Sequence, residues 1–477
     1  MTTEQQLPKG WTKTTLEEIC EIFDSKRVPL NREQREQRIN NKKTDELFPY
    51  YGATGEVGKI DDYIFDGEFV LLGEDAAPFF EPNKNVAYCV KGKFWVNNHA
   101  HILSSSVLEN LYICHYLNQF NFSGYVSGTT RLKLSQGSMK RIPIIYPTSK
   151  ETQQAIVNKI ESLFDEIDEG IGRLKTAAQQ IQQYRQSLLK NSFNGELTKE
   201  WRSKHADTLP SENELLAQIQ TTREQHHAQQ LADWQTAVSQ WEQNRKEGKK
   251  PSKPKAPTQV VKFEENFADL PNGWGVVKLG TFIQNIQAGK SFKCEERPPV
   301  NNEIGVAKVS AITWGEYDEN ETKTCFDKSR INPDFFIKTG DFLFSRANTI
   351  ELVGACVIVK KINKTIMLSD KTLRIHFTNI LEKYVLYYLR SSDGRKQIMD
   401  KSSGNQESMR NIGQERIKDI DIPVCSLAEQ TQIVAILESK LTACDQLAAE
   451  LAKQLKQAEL LKQAVLKAAF SDNLLDK

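Results

Sequence analysis

Three glycines and a lysine in the stretch YYGATGEVGKI, residues 50–60, are residue types that could hold a nucleotide phosphate. A phosphate loop needs a glycine, four residues, then Gly-Lys and a hydroxyl residue that binds magnesium. Gly52 lies one residue too far from Gly58, and Ile60 stands where Ser or Thr is required. The dinucleotide fingerprint fails as well, because these glycines are spaced by three. The spacing therefore excludes an ATP site here.

No other group of residues predicts catalysis or metal binding. The stretch NPDFF (332–336) is similar to the Asn-Pro-Pro-aromatic motif of amino-methyltransferases, but Asp334 interrupts it and no glycine-rich S-adenosylmethionine loop precedes it. His99 and His101 would share one face of a strand, yet no carboxylate or cysteine lies near them in sequence. We predict no catalytic residue and no metal site, and we interpret the two histidines as satisfied or DNA-facing side chains.

Length and composition exclude several classes of protein. A chain of 477 residues should form several domains, because single cores stop growing well below that length. The net charge is only +1, so any nucleic-acid surface must be local. The sequence has no apolar run long enough for a membrane span and no apolar signal core, so we expect a cytoplasmic protein. The eight cysteines are scattered without a C-x-x-C pair, which favours reduced thiols.

The chain repeats itself. Four pairs of similar segments keep the same order in both halves: LPKGW (7–11) with LPNGW (270–274), GEFVLL (67–72) with GDFLFS (340–345), RIPI (141–144) with DIPV (421–424), and LLKNSFNGEL (188–197) with VLKAAFSDNL (465–474). Each half combines short β-prone runs with a long closing helix. The repeat therefore predicts a mixed α/β (α+β) fold built as a tandem pseudo-repeat.

Apolar residues recur every seven positions in both long helices, and such a seam is buried only against another helix. The seam residues are Ile160, Ile167, Leu174, Ile181 and Leu188 in the first helix, and Leu437, Leu451 and Val465 in the second. The obvious partner of each helix is the other copy. Packing of each helix along its own globular domain and dimerisation through the helices remain alternatives. Capping boxes are predicted at the helix starts, Thr148 with Glu151 and Ser426 with Glu429.

Composition divides the chain into five segments. Residues 198–262 are polar, with helical spacing of apolar residues followed by the Lys/Pro-rich stretch KEGKKPSKPKAP (246–257), which is typical of a linker. The predicted segments are a first module (1–147), a first long helix (148–197), a polar helical insert and linker (198–262), a second module (263–425) and a second long helix (426–477).

Two similar modules at a fixed separation could read two DNA sites separated by a set distance along the duplex. The stretch SGTTRLKLSQGSMKRIPI (127–144) carries four cations and no acid, and amide and arginine side chains in the second half are types that pair with adenine and guanine. The candidate DNA-binding residues from this reasoning are Thr130, Arg131, Lys133, Arg346, Asn348, Lys371, Asn405, Gln406 and Arg410. For each of them the alternative is an ordinary solvated loop.

Together these segments resemble the specificity subunits of type I restriction-modification systems. The resemblance rests on the two LP-x-GW openings, YYGATGEVGKIDDYIFDGEFVLLGEDA (50–76), GDFLFSRANT (340–349) and the helix ends KNSFNGELTKEW (190–201) and KAAFSDNL (467–474), and it covers nearly the whole chain. The second helix end departs from the pattern, because it lacks the glycine of FNGEL. The glycine turn of residues 50–60 then belongs to the first recognition domain, where Tyr51 and Thr54 become candidates to face DNA.

The resemblance implies two mixed target recognition domains joined by two long antiparallel coiled-coil helices. Each domain would read one half of an interrupted, asymmetric site in double-stranded DNA, and the helices would dock two methyltransferase subunits, with restriction and translocase subunits joining them. S-adenosylmethionine, ATP and magnesium would belong to those partners and not to this chain. The protein itself would be a non-catalytic prokaryotic DNA-binding subunit.

Two other classes remain as alternatives. A stand-alone DNA methyltransferase would be an enzyme, but its cofactor motifs are missing from the sequence. A helical assembly scaffold would join subunits without reading DNA. Salt-dependent, sequence-selective binding separates a DNA-reading subunit from such a scaffold, because neutralised phosphates release counterions.

Overall fold

The computed structural model describes residues 7, 9–81, 84–244, 248, 250–254, 256, 260, 270–406 and 409–470. The chain forms two compact units. Unit 1 consists of residues 1–179 and 448–477, and unit 2 consists of residues 180–447. Each long helix is divided between the two units.

Unit 1 is a mixed domain around a six-stranded sheet. Its strands are β1 (Trp11–Thr15), β2 (Glu21–Ile22), β3 (Phe48–Gly52), β4 (Gly55–Ile60), β5 (Phe65–Gly73), β6 (Ala87–Val96), β7 (Ala100–Ser104), β8 (Val126–Ser127), β9 (Lys133–Leu134) and β10 (Pro143–Pro147). Its short helices are α1 (Leu16–Ile19), α2 (Arg32–Ile39), α3 (Asn110–Gln119) and α4 (Gln136–Lys140). The large sheet has the order β2-β7-β5-β6-β3-β4, and β1-β10 and β8-β9 form two-stranded ribbons.

Both faces of the six-stranded sheet carry buried apolar side chains. Along β5, Val70 and Leu72 belong to the same buried cluster as Ile113 of helix α3. Leu71, which lies between them in the chain, packs with Phe94 in the cluster on the opposite face. The uninterrupted apolar run of this strand is therefore explained by burial on two sides, since alternate side chains point to opposite faces.

Three helices follow strand β10 in the chain. They are α5 (Lys150–Phe193), α6 (Lys199–Lys204) and α7 (Glu212–Gln243). The Lys/Pro-rich stretch returns to α7, because Trp234 Nε1 donates to the carbonyl oxygen of Pro251 (3.1 Å) and Trp241 Nε1 donates to that of Gly248 (3.1 Å). The described part of this linker is thus held against the insert helix.

Unit 2 repeats the plan with smaller sheets. Its strands are β11 (Gly275–Lys278), β12 (Ile283–Ala288), β13 (Ile304–Ala307), β14 (Thr322–Cys325), β15 (Phe342–Ser345), β16 (Ala347–Asn348), β17 (Cys356–Ile358), β18 (Thr365–Met367), β19 (Thr372–Phe377), β20 (Ser403–Gln406), β21 (Met409–Asn411) and β22 (Asp421–Val424). Its helices are α8 (Glu382–Arg390), α9 (Ser392–Lys401), α10 (Gln414–Lys418) and the long α11 (Leu427–Ala469). The sheets have the orders β12-β19-β15-β17, β14-β13-β18, β16-β21-β20 and β11-β22.

Matching hydrogen bonds confirm the tandem repeat. Tyr112 donates to the carbonyl oxygen of Ile145 (3.0 Å) in unit 1, and Tyr384 donates to that of Pro423 (2.9 Å) in unit 2. Each tyrosine lies on a helix that packs against the larger sheet of its unit, and its hydrogen bond ties that helix to the two-stranded ribbon. A repeated packing role explains why these segments keep their order in both halves.

The two long helices pair antiparallel, as predicted. Asp168 of α5 forms an ion pair with Lys462 of α11 (2.6 Å) in unit 1, and Arg185 pairs with Asp445 in unit 2. As the residue number rises along α5 it falls along α11. The pairing of the two copies is therefore confirmed.

Burial along the predicted seam is uneven. Ile160, Ile167, Leu188, Leu437 and Val465 are buried, whereas Leu174, Ile181 and Leu451 are half-buried. The buried seam residues also belong to the hydrophobic cores of the two units. At these positions the long helices pack along a globular domain, which was the predicted alternative. No helix of the described chain combines the length and apolar character that crossing a membrane requires.

One of the two predicted capping boxes is wrong by one residue. Ser149, not Thr148, caps α5, because Ser149 Oγ accepts from the backbone N–H of Thr152 (3.3 Å). At α11, Ser426 Oγ accepts from the N–H of Glu429 (3.2 Å) as predicted. The Glu429 carboxylate does not reach back to the cap, because it is hydrogen-bonded elsewhere in unit 2.

A phenylalanine packs between two tyrosines at the C-terminal end of each long helix. Phe193, the last residue of α5, lies between the rings of Tyr384 and Tyr388 of unit 2, with both centroids 5.1 Å away. Phe470, just past α11, lies 5.2 Å from both Tyr112 and Tyr116 of unit 1. The helix of each repeat therefore completes the core of the unit formed mainly by the other repeat.

The glycine of FNGEL has a steric role. Gly195 has φ +80°, and a Cβ there would collide with Pro271 of the second LP-x-GW opening. The corresponding position of the second copy, Asp472, lies outside the described residues.

Candidate nucleic-acid interface

In unit 1, four segments that are distant in sequence meet at one end of the six-stranded sheet. We call this surface rim 1, and it comprises residues 53–54, 74–76, 97–99 and 127–133. Glu74 N–H donates to the His99 carbonyl (2.8 Å), and Ala76 N–H donates to the Leu132 carbonyl (2.9 Å). Backbone bonds thus hold the loop after β5 between the β6–β7 turn and the β8–β9 hairpin.

Rim 1 brings together most of the residues predicted for the first half. Thr54, Thr130, Arg131 and Lys133 all lie on it and are exposed. Tyr51 is different, because its half-buried ring packs on Tyr88 (5.9 Å between centroids) and Phe94 (5.8 Å). This ring stabilises the sheet beneath the rim, and burial raises the pKa of its hydroxyl.

The cations of rim 1 are paired with acids. Arg131 Nε lies 2.6 Å from Asp75 Oδ1, and Lys133 Nζ lies 3.3 Å from Glu74 Oε1. Sequence reasoning described this hairpin as basic and free of acid. The fold supplies the acids from a segment more than fifty residues earlier in the chain, since Arg131 and Asp75 are 56 positions apart.

Beneath the rim lies a buried polar network. Asp24, Glu74 and His101 offer ligand atoms within 4.8 Å of one another, which is close enough for a metal site. Arg27, however, bonds Glu74 (2.6 Å) and lies 3.5 Å from Asp24, while His101 uses Nδ1 on Asp24 (2.6 Å) and Nε2 on the Leu134 carbonyl (2.9 Å). The guanidinium supplies the positive charge that these carboxylates need, so the network supports the hairpin and does not suit a metal ion.

The protonation of Asp24 follows from the same contacts. Burial acts to raise the pKa of this carboxyl, but hydrogen bonds from His101 and Ile102 and the charge of Arg27 outweigh burial and lower the pKa below its ordinary value. Asp24 therefore stays ionised and keeps His101 oriented. The interpretation of His101 as a satisfied histidine fits this arrangement, and His99 lies at the rim with a side chain 39% exposed.

Unit 2 has a corresponding surface. We call it rim 2, and it comprises residues 289–290, 345–349, 369–371, 403–406 and 409–411. Arg346 N–H donates to the Lys371 carbonyl (3.0 Å), and the N–H of Ile412 donates to the Arg346 carbonyl (2.9 Å). Strand β16, directly after the central strand β15, pairs with β21. As in unit 1, a hairpin is fixed on the loop that follows the central strand.

The cations of rim 2 are free of ion pairs within the described chain. Arg346 and Lys371 are half-buried, and Lys290, which sequence reasoning did not select, is exposed beside them. The N–H of Gly289 donates to the Ser369 carbonyl (3.1 Å), which holds Lys290 next to the β18–β19 turn. Lys290 could not be selected from the sequence, because a single lysine after a strand is common.

Two predicted residues of rim 2 have structural roles instead. Asn348 is only 8% exposed, and its Oδ1 accepts from the N–H of Thr349 (2.9 Å). Arg410 donates to the Gly404 carbonyl (2.9 Å) and to Ser402 Oγ (2.9 Å). The Asn348 amide is hydrogen-bonded to residues near strand β15, and the Arg410 guanidinium is hydrogen-bonded within the hairpin, so the polar atoms of both side chains are already engaged.

The remaining predicted residues of the second half are Asn405 and Gln406. Both lie on strand β20 in the hairpin of rim 2. Their side chains lie outside the described part of the chain, and their role stays a prediction.

Comparisons with known proteins identify the family of the chain. Residues 8–175 and 271–457 match the family model of the type I restriction modification DNA specificity domain. The chain therefore belongs to this family and carries two copies of its domain, one in each repeat.

Named relatives are specificity subunits. The chain is 28% identical over 510 aligned residues to the type I restriction enzyme EcoEI specificity subunit of Escherichia coli, covering 97% of this chain and 83% of that protein. It is 34% identical over 150 residues to a putative specificity subunit, S.HindORF215P, of Haemophilus influenzae, covering 31% of this chain and 36% of that one.

The fold also matches a solved structure from work on the assembly and conformational transition of a type I restriction-modification complex. The TM-score is 0.58 at 16% identity, with 98% of this chain and 99% of that chain covered. At this identity the match shows the fold alone.

Proposed function

We propose that rim 1 and rim 2 each read one half of an interrupted, asymmetric site in double-stranded DNA, as the DNA specificity subunit of a type I restriction-modification system. This proposal rests on one observation: the same arrangement of hairpin and loop occurs in both units, although their sheets differ. In each, a hairpin is fixed on the loop after the central strand, and polar and cationic side chains are exposed around it. The shared framework and different side chains suit two half-sites of different sequence.

The chain would act as a non-catalytic reader, and its partners would supply the chemistry. The antiparallel helices would set the spacing of the two half-sites and dock two methyltransferase subunits, with restriction and translocase subunits joining that core. Exposed apolar side chains on the helices support a docking role, because they face no core of their own unit: Leu427 (52% exposed) and Leu447 (57%) in unit 2, and Leu460 (45%) and Leu461 (51%) in unit 1.

In this proposal the cofactors belong to the catalytic subunits. S-adenosylmethionine, ATP and magnesium would bind to the partner subunits, and a target adenine would be flipped into the methyltransferase pocket. The chain would work in the cytoplasm of a prokaryotic cell, on chromosomal DNA.

Binding of the complete complex to defined duplexes tests this function. We expect the chain assembled with its methyltransferase subunits to bind a duplex that carries its methylated motif, and to lose that preference when either half of the motif is scrambled. Affinity should fall steeply as salt rises, because released counterions drive phosphate binding. Equal binding to intact and scrambled duplexes, with or without salt dependence, would contradict the proposal.

A further inference from the structure

Arg131 is exposed on rim 1 and is bonded at one end of its guanidinium. Its side chain is 60% exposed on rim 1, yet its Nε is fixed at 2.6 Å from Asp75 Oδ1. Its Nη groups make no hydrogen bond to the described residues. An exposed arginine normally samples many rotamers. Here the ion pair at Nε restricts the side chain, and the two Nη groups remain available to a ligand.

The residue that holds Arg131 is itself fixed. Asp75 is 17% exposed, and its second oxygen, Oδ2, lies 3.4 Å from Nδ1 of His99. Backbone bonds secure the segment on both sides of Asp75, from Leu134 N–H to the Glu74 carbonyl (2.7 Å) and from Ala76 N–H to the Leu132 carbonyl. Asp75 is thus a rigid support and not a mobile surface acid.

The hairpin that carries Arg131 is tight. Gly128 has φ +96°, and a Cβ at that position would collide with the Arg131 carbonyl oxygen. The chain therefore closes directly beneath Arg131, and only glycine is suited to this position. The backbone of Arg131 is fixed as well as its side chain.

From this geometry we infer that Arg131 reads a guanine in the half-site of unit 1, and that Asp75 is the residue that positions it. The inference rests on the proposed DNA-reading function. Guanine presents O6 and N7 as two acceptors in the major groove, and the parallel N–H groups of a guanidinium match that pair. No other base edge in the major groove offers two adjacent acceptors.

The charge of rim 1 separates this role from a phosphate contact. Asp75 pairs with Arg131 and Glu74 lies near Lys133, and acids next to the guanidinium would repel a phosphate. A guanine edge carries no net charge and requires only oriented donors. Rim 2 offers the contrast, because Lys290, Arg346 and Lys371 have no ion pair among the described residues and suit the DNA backbone better.

Substitutions that remove the guanidinium of Arg131, with or without its charge, test the inference. The assembled complex would be given a library of duplexes randomised through its motif, and methylated products would be sequenced. We expect Arg131→Lys and Arg131→Gln each to lower discrimination at one guanine by about 10- to 100-fold and to leave all other positions unchanged. Asp75→Asn should give a smaller loss at that same guanine.

Arg330→Gln is the matched control. Arg330 is also exposed (54%) and also bonds a carboxylate through Nε, Asp327 at 2.9 Å, but it belongs to unit 2. It should leave the guanine of the first half-site unchanged. A uniform loss of affinity in Arg131→Gln, or guanine discrimination at every position equal to that of the unaltered chain, would overturn the inference. The unaltered complex would still select its motif in that case, whereas failure of the proposed function would remove selection altogether.

Discussion

Replacing Glu429 by alanine should lower the free energy of unfolding of unit 2 by about 3–5 kcal/mol, the usual cost of leaving a buried charge without its partner. Glu429 is only 2% exposed. Its carboxylate accepts from Arg202 (2.6 Å), Thr198 (2.7 Å) and Trp274 Nε1 (3.0 Å). Alanine would leave the Arg202 charge without its partner, and the Thr198 hydroxyl and the Trp274 indole N–H without their acceptor.

This network connects three parts of unit 2. It joins the start of helix α11, the polar residues after FNGEL and the tryptophan of the second LP-x-GW opening. Hydrogen exchange of backbone amides in β11 and in the first turns of α11 measures the loss directly, since it reports opening of that unit alone. Exchange there should accelerate by roughly two to four powers of ten, since about 1.4 kcal/mol corresponds to a tenfold change.

Glu438→Ala is the control for the Glu429 prediction. Glu438 lies on the same helix and pairs with Lys383 at the same distance of 2.6 Å, but both side chains are exposed (42% and 54%). Its loss should cost about 0–1 kcal/mol, because solvent screens exposed pairs. The double variant Arg202→Ala with Glu429→Ala should cost less than the sum of the single variants. A Glu429→Ala effect no larger than that of Glu438→Ala would show that the network does not stabilise unit 2.

The second large effect concerns the helix ends. Phe193→Ala should destabilise unit 2 by about 3–5 kcal/mol, because a buried phenylalanine leaves a cavity when it is shortened. Phe193 is 2% exposed and is enclosed by Tyr384 and Tyr388. Phe470→Ala should destabilise unit 1 by less, since Phe470 is only half-buried.

Each substitution should affect the unit that is built mainly from the other repeat. Phe193 belongs to the first repeat but is expected to affect hydrogen exchange in unit 2, and Phe470 belongs to the second repeat but is expected to affect unit 1. Tyr184→Ala is the control, because Tyr184 is 47% exposed on the same helix as Phe193. If Phe193→Ala instead accelerated exchange mainly in unit 1, the crossed packing of the helix ends would be refuted.

The sequence allowed correct prediction of the features that are periodic or repeated. Seven-residue spacing predicted the paired helices, and segments such as GEFVLL and GDFLFS predicted the duplicated mixed domains. These signals are local, so each is contained in a short stretch of chain. The antiparallel direction came from the family resemblance, since the spacing of the seam alone left the direction open.

Sequence reasoning failed where long-range contacts decide what a side chain does. Glu429 looked like a capping residue, but the fold places Arg202, 227 positions earlier, against it. Closer contacts matter as well, because the carbonyl oxygens of Gly404 and Ser402 accept from the guanidinium of Arg410, which was predicted to contact DNA. Arg131 was selected for its charge alone, and its support by Asp75 could not be predicted because the two residues meet only in the folded sheet.

The most direct test of the bipartite reading is an exchange of recognition modules. Residues 12–140 would be replaced by the corresponding segment of a family member with a different motif, and the DNA methylated by the assembled complex would be sequenced. We predict that one half of the motif changes to that of the donor, while the other half is retained. A change in both halves, or a motif identical to that of the unaltered chain, would contradict the claim that each unit reads its own half-site.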